Sequence, residues 1–216
     1  MFFKGIPLFA DLNESDHNLL VQVALRRSHP RHTLLIQDGD PGERLYVLRK
    51  GRAKVYIGDG SGREVILAIL GPGDFFGELA LIDDAPCSAS VMTLEESEFV
   101  SIGKDEFRKV LVSSPSMAAN LLKVLAGRLR EADLQIESLA LKDVQARVEQ
   151  VLQSLAKPEN GELVIPARIT HRDIVAMVGA SREVVTRVFR VLEDKEMLRV
   201  DGRRVTLVSA PTAAPA

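Results

Sequence analysis

The apolar positions between residues 170 and 192 repeat with a helical period that is interrupted once. Ile174, Val175 and Val178 form one stripe, and Val184, Val185, Val188, Phe189 and Leu192 form a second. Gly179-Ala180-Ser181 stands between them, so the pattern predicts two short helices joined by a tight turn. Thr170 is placed to cap the first helix, with Asp173 in its positive first turn. Gly179 ends that helix because glycine reaches the left-handed conformation without a Cβ clash. Ser181 caps the second. Arg182, Glu183 and Arg187 then fall on the polar side, near the start of the second helix. This is the arrangement of a helix-turn-helix, where an Arg forks onto guanine O6 and N7 and a Glu accepts from cytosine N4. A helical hairpin with a solvated charged face is the plainer alternative. The coincidence of turn, caps and charge placement favours the DNA reading.

Downstream, Leu198 to Leu207 reads as two alternating strands around Asp201-Gly202, a strong hairpin signal. A hairpin behind a recognition helix makes a winged helix-turn-helix, with Arg203 and Arg204 at its tip to meet phosphates. An ordinary surface hairpin is the alternative.

From Thr33 to Ile102 the pattern changes to short β-forming runs between Gly/Asp turns. Strands are expected at Leu34 and Ile36, Tyr46 to Leu48, Ala53 to Ile57, Val65 to Leu70, Phe75-Phe76, Ala89 and Val91, and Phe99 to Ile102. Their spacing predicts an antiparallel barrel or jelly roll, able to hold a small ligand. Gly77-Glu78-Leu79-Ala80-Leu81 reads as a strand end entering one helical turn. Its free N–H groups suit an anion, and Glu78 suits a hydroxyl such as a ribose 2′-OH. A tight turn between strands is the other reading.

One long helix is expected from Ser116 to Lys142. Leu122, Leu125, Leu129, Ala132, Ile136, Leu139 and Asp143 recur along it at three-four spacing, the narrow seam of a coiled coil. That seam predicts a parallel homodimer rather than a long intradomain helix. Leu134 and Leu141, off the seam, are expected to dock on the barrel. Asp143 is expected to cap a further helix, Val144 to Ala156, as the hinge between sensor and reader. Pro158 to Gly161 is expected as a surface turn.

Composition narrows the class. The chain has 216 residues and a formal net charge of −2, yet residues 168–204 carry nine Arg/Lys against six Asp/Glu, a local excess of three positive charges. Basic character confined to one segment suits a specific reader. The single cysteine, Cys87, excludes an internal disulfide and leaves no cluster for zinc or iron–sulfur ligation. There is no 18-residue apolar run or signal-peptide pattern, so a cytoplasmic protein without a membrane partner is expected.

The chain from about Leu8 to Val208 resembles the cyclic AMP receptor protein/FNR family of bacterial transcription regulators. The resemblance rests on Gly77-Glu78-Leu79-Ala80-Leu81 with Pro86-Cys87-Ser88-Ala89, on the long helix, and on Val178 to Glu183 with Arg187. It implies an α+β fold: an N-terminal antiparallel β-roll of jelly-roll type (1–115), a dimerisation helix with its hinge (116–143) and a C-terminal winged helix-turn-helix (144–208). Ser209 to Ala216, rich in Ala and Pro, is expected as a disordered tail. The resemblance further implies a homodimer on double-stranded DNA that recruits RNA polymerase. Arg182, Glu183 and Arg187 would read a TGTGA/TCACA-type palindrome, Thr170 and Ser181 would touch phosphates, and Arg203 would be the basic wing residue. Loops 58–62 and 157–161 are candidates for the polymerase.

For the effector site the resemblance implies Gly77, Glu78, Leu79, Ala80, Cys87, Ser88, Arg128, Ala132 and Asp133. Glu78, Ser88 and Arg128 match the pattern of the cyclic-nucleotide binders. Cys87 stands where those proteins carry the Arg that clamps the cyclic phosphate, a loss of about 2–4 kcal/mol. Ala132 and Asp133 replace the hydroxyl pair that meets the adenine. Cyclic AMP is therefore expected to bind weakly, and a dimer active without ligand competes with a ligand-gated one. A cyclic-nucleotide module without DNA readout is the remaining alternative.

Other sensors and enzymes fit less well. An N-terminal cysteine cluster for oxygen sensing is missing, and His17, His29, His32 and His171 are too scattered to serve haem with Cys87. Catalysis is not expected: a cupin-like enzyme needs clustered metal ligands, and a Cys87 nucleophile needs an oriented histidine.

Overall fold

The computed structural model describes residues 3–59, 63–165, 169–202 and 204–208. Arg203, part of the loop 58–62 and the tail from Ser209 lie outside the described residues. The chain divides into two compact units, one of residues 1–57 with 66–131 and one of 58–65 with 132–216.

In the first unit α1 (Glu14–Val23) precedes β1 (Leu25–His29), β2 (Leu34–Ile36), β3 (Arg44–Lys50) and β4 (Ala53–Gly58). There follow β5 (Glu64–Leu70), β6 (Phe75–Phe76), α2 (Glu78–Asp83), β7 (Ser90–Thr93) and β8 (Ser97–Gly103). Two helices complete it, α3 (Lys104–Ser113) and the start of α4 (Pro115–Leu141). The strands form two four-stranded sheets, β1-β8-β3-β6 and β2-β7-β4-β5. That interleaved order is a jelly roll.

Alternation along β3 explains how the roll closes. Leu45 and Val47 enter a core shared with Leu20, Phe107, Val110, Met117 and Leu121, on the helical side of the sheet. Leu48 and half-buried Tyr46 point the other way, into a core with Phe76, Val91 and Phe99. There the Phe76 ring stacks on Tyr46 and meets Phe99 edge-on, with centroids 5.2 and 5.8 Å apart. β1 was not among the expected strands. Its sequence, Leu-Arg-Arg-Ser-His, lacks the β-branched run that marks a strand, and pairing with β8 from Leu25–Ser101 to His29–Ser97 creates it.

α4 runs within one residue of the expected span at each end. Met117 and Leu121 are buried near its start. Leu134 and Leu141, expected to be covered, are 58% and 78% exposed. At 3.6 residues per turn they lie roughly opposite Leu121, on the side turned away from the core. Among the described residues no single helix is long and apolar enough to cross a membrane.

The second unit contains α5 (Val144–Leu155), β9 (Lys157–Glu159), β10 (Glu162–Ile165), α6 (His171–Val178), α7 (Arg182–Asp194), β11 (Leu198–Asp201) and β12 (Arg204–Leu207). Asp143 caps α5 by accepting from the Ala146 N–H at 2.8 Å. The sheet order is β11-β12-β10-β9. Pro158 and Glu159 belong to a strand rather than to a turn, because β10 supplies their pairing partners and only Asn160-Gly161 turns the chain. Val148, Leu152, Ile174, Val178, Val185, Phe189 and Leu192 share the core beneath the three helices.

Candidate functional site

The turn between α6 and α7 is fixed by local hydrogen bonds. Thr170 Oγ1 accepts from the Asp173 N–H at 3.2 Å. In return Asp173 Oδ2 accepts from the Thr170 N–H at 2.9 Å and from its hydroxyl at 2.6 Å. This closed capping box satisfies donors that the helix start leaves without partners. Gly179 then takes φ +65°, and Ser181 Oγ accepts from the Val184 N–H at 3.4 Å to start α7. The Thr170 and Ser181 hydroxyls are thus both engaged in caps.

This scaffold leaves Arg182, Glu183 and Arg187 exposed while Val185, Phe189 and Leu192 are buried behind them. Arg182 and Arg187 have no ion pair among the described residues. The Glu183 carboxyl is held below its ordinary range by its own backbone N–H, then by the Ser181 hydroxyl and nearby Arg182. It is therefore an anionic acceptor at neutral pH. His171 is pushed below its ordinary value by burial and by Arg182, and its ring meets Phe189 edge-on at 5.2 Å. It adds packing there, not charge. Arg190, exposed one turn beyond Arg187, extends the cationic side. Sequence reasoning passed over it, although the i, i+3 spacing from Arg187 was the available signal.

The hairpin differs in detail from expectation. Asp201 pairs with Arg204 as the last rung of β11 and β12, so Arg204 belongs to a strand rather than to the turn. Arg204 is not free at the tip: Nη1 lies 2.9 Å from Glu159 and Nη2 lies 3.8 Å from Glu162. β10, which carries Glu162, and its neighbour β9 were not anticipated, and these partners came with them.

In the roll the structure brings Gly77, Glu78 and Arg128 together. Gly77 takes φ +87°, and a Cβ there would lie 2.7 Å from the Arg44 carbonyl oxygen, so only glycine fits. Glu78 is buried at the start of α2. Arg128 Nη1 reaches Glu78 Oε1 at 2.6 Å, and Nη2 donates to the Phe75 carbonyl at 2.5 Å. The guanidinium also lies over the Phe75 ring, 4.7 Å from its centroid. Arg128 thus bolts α4 to the roll. Glu78 Oε2 is buried with no hydrogen-bond partner among the described residues, which leaves it an acceptor for a hydroxyl. Ala80 is buried and Leu79 exposed.

Cys87 is tied elsewhere. Its N–H donates to the Asp40 carbonyl and its carbonyl accepts from the Gly39 N–H, both at 2.8 Å. Burial, and then the carboxylates of Asp40 and Asp38, push the thiol up from its ordinary value. A neutral thiol in a negative setting supplies no clamp for a phosphate and is a poor redox switch. Ser88 next to it is exposed, as are Ala132 and Asp133 on α4. No group of three or more His, Cys, Asp or Glu among the described residues is placed to hold a metal ion.

Comparison with known proteins places both units. Residues 26–114 match the family model of the cyclic nucleotide-binding domain, and residues 146–211 match that of the Crp-like helix-turn-helix domain. The chain is 34% identical to the cyclic AMP receptor protein of Thermus thermophilus over 197 residues, covering 91% of this chain and 90% of that one. It is 35% identical to the CRP-like cAMP-activated global transcriptional regulator of Mycobacterium tuberculosis over 182 residues, covering 82% and 81%. The structure of the c-di-GMP responsive global regulator CLP of Xanthomonas campestris superposes with a TM-score of 0.79 over 91% of this chain and all of that one, at 24% identity, which speaks to fold alone. With a jelly-roll unit that matches the cyclic nucleotide-binding domain and a helix-turn-helix unit of Crp-like type, the chain belongs to the cyclic AMP receptor protein/FNR family of transcription regulators.

Proposed function

We propose that the protein is a homodimer that reads a TGTGA/TCACA-type palindrome through Arg182, Glu183 and Arg187 and recruits RNA polymerase in the cytoplasm. The observation that carries this is α7 itself: two unpaired arginines and an anionic glutamate stand exposed at the start of a helix whose other side is buried. Pairing is supported by the seam of α4. Leu122, Leu129, Ile136 and Leu139 are each more than half exposed, an apolar stripe of the kind a coiled coil buries. The named relatives are cAMP receptors or cAMP-activated regulators. Here the residues fit a cyclic nucleotide only in part: Glu78 offers an acceptor for a ribose hydroxyl, but Cys87, Asp38 and Asp40 disfavour its phosphate. The Glu78–Arg128 bolt makes no demand on a ligand, so DNA binding proceeds without one.

Fluorescence anisotropy on a TGTGA/TCACA duplex and on a scrambled one tests this reading. The wild-type protein is expected to prefer the palindrome without added nucleotide, and the double change Arg182→Ala with Glu183→Ala to abolish that preference. Specificity that survives the double change overturns the assignment of α7. An absolute requirement for cyclic AMP, cyclic GMP or cyclic di-GMP overturns the ligand-independent part.

A further inference from the structure

The arginines on the two faces of the β1-β8-β3 sheet are treated differently. On the helical side, Arg26 and Arg49 both pair with Glu98. On the inner side, Arg27 has no ion pair among the described residues. Arg44 there donates only to neutral oxygens, from Nε to Ser101 Oγ at 3.0 Å and from Nη2 to the Ser101 carbonyl at 3.5 Å. Cross-strand register places these groups side by side, with Arg27 opposite Phe99 and both Leu25 and Tyr46 opposite Ser101. With His29 they line a partly open cavity of about 170 Å³, to which Tyr46 and Phe99 also contribute. None of Glu78, Cys87, Ser88 or Arg128 lines it. His29 is held below its ordinary value by burial first and then by the Arg27 charge.

We propose that this cavity is a second ligand site, in which Arg27 and Arg44 clamp the phosphoryl group of a small phosphate monoester or of inorganic phosphate. Guanidinium forks match the oxygens of a phosphate, and the half-buried imidazole and buried Ser101 hydroxyl add donors. The cavity is well below the roughly 300–1,000 Å³ of sites for drug-sized ligands, which limits the ligand to a few heavy atoms beyond the phosphoryl group.

Calorimetric titration of the full-length protein with inorganic phosphate, glycerol phosphate and acetate, at low salt, tests the site. Saturable binding of either phosphate at one site per chain is expected, weakened by about tenfold or more in both Arg27→Ala and Arg44→Gln. Phosphate binding should persist in Arg26→Ala, whose guanidinium serves Glu98, and in the Arg182→Ala/Glu183→Ala protein, which excludes the DNA face as the source. The two phosphates compared with each other separate a monoester site from a free-phosphate site. Arg27 is exposed, so its variant should keep the wild-type circular dichroism. Absent saturation, binding equally lost in Arg26→Ala, binding intact in Arg27→Ala, or acetate bound as tightly as phosphate would each overturn the proposal.

Discussion

Arg187 and Cys87 show how single side chains set what each unit can do. Arg187 lies one turn into α7, exposed and without an ion pair among the described residues, so in the proposed reading its fork is available to a base edge. Replacing it with Ala should cost about 1–3 kcal/mol of discrimination, seen as the ratio of affinities for matched and mismatched duplexes, with scrambled DNA little affected. A uniform loss on all duplexes would make it a phosphate contact instead. At Cys87 the change runs the other way. Cys87→Arg should raise cyclic AMP affinity by roughly 10–100-fold in calorimetry, because a charge-assisted pair replaces a neutral thiol. Unaltered affinity would mean that Asp38 and Asp40 take up the new guanidinium.

Among the elements, the α6–α7 turn was legible in the sequence because its determinants are local. Thr170, Asp173, Gly179 and Ser181 each act within four residues, and the structure uses all four as caps or turn residues. Thr170→Ala should therefore lower stability by about 0.5–2 kcal/mol in denaturant titration. β1 was illegible because long-range pairing with β8 makes it, and β9 because Pro158 masks one arm of a short local hairpin with β10. Arg27 and His29 sit on the inner face of β1, where an amphipathic pattern calls for apolar residues. Pro158 reads as a turn until β10 lies beside it. The Arg204 ion pairs and the α2–α3 contact are non-local in the same sense. In that contact Asp84 is bound by Arg108 and Lys104, which hold its carboxyl at about 2, below its ordinary 3.8. A carboxyl depressed on folding stabilises the fold above its unfolded value and ceases to as pH falls through its folded one. Asp84→Asn should therefore flatten the loss of stability between about pH 4 and pH 2 in unfolding midpoints; because the pair is exposed, the effect should shrink with added salt.

At the scale of the whole molecule, charge and apolar surface are unevenly distributed. The chain is net acidic while residues 168–204 are net basic, so affinity for DNA should fall steeply with salt although the protein is no polycation. In the proposed homodimer the exposed seam of α4 is covered by a second copy, and the two α7 helices would then lie on one duplex about 34 Å apart for half-sites one turn apart. Sedimentation velocity of the protein with a duplex bearing TGTGA and TCACA half-sites at that spacing tests this most directly. Two chains per duplex are predicted for the wild type, and a monomer binding roughly 10²–10⁴-fold more weakly for Leu129→Glu with Ile136→Glu. One chain per duplex for the wild type, or full affinity in the variant, would contradict the account.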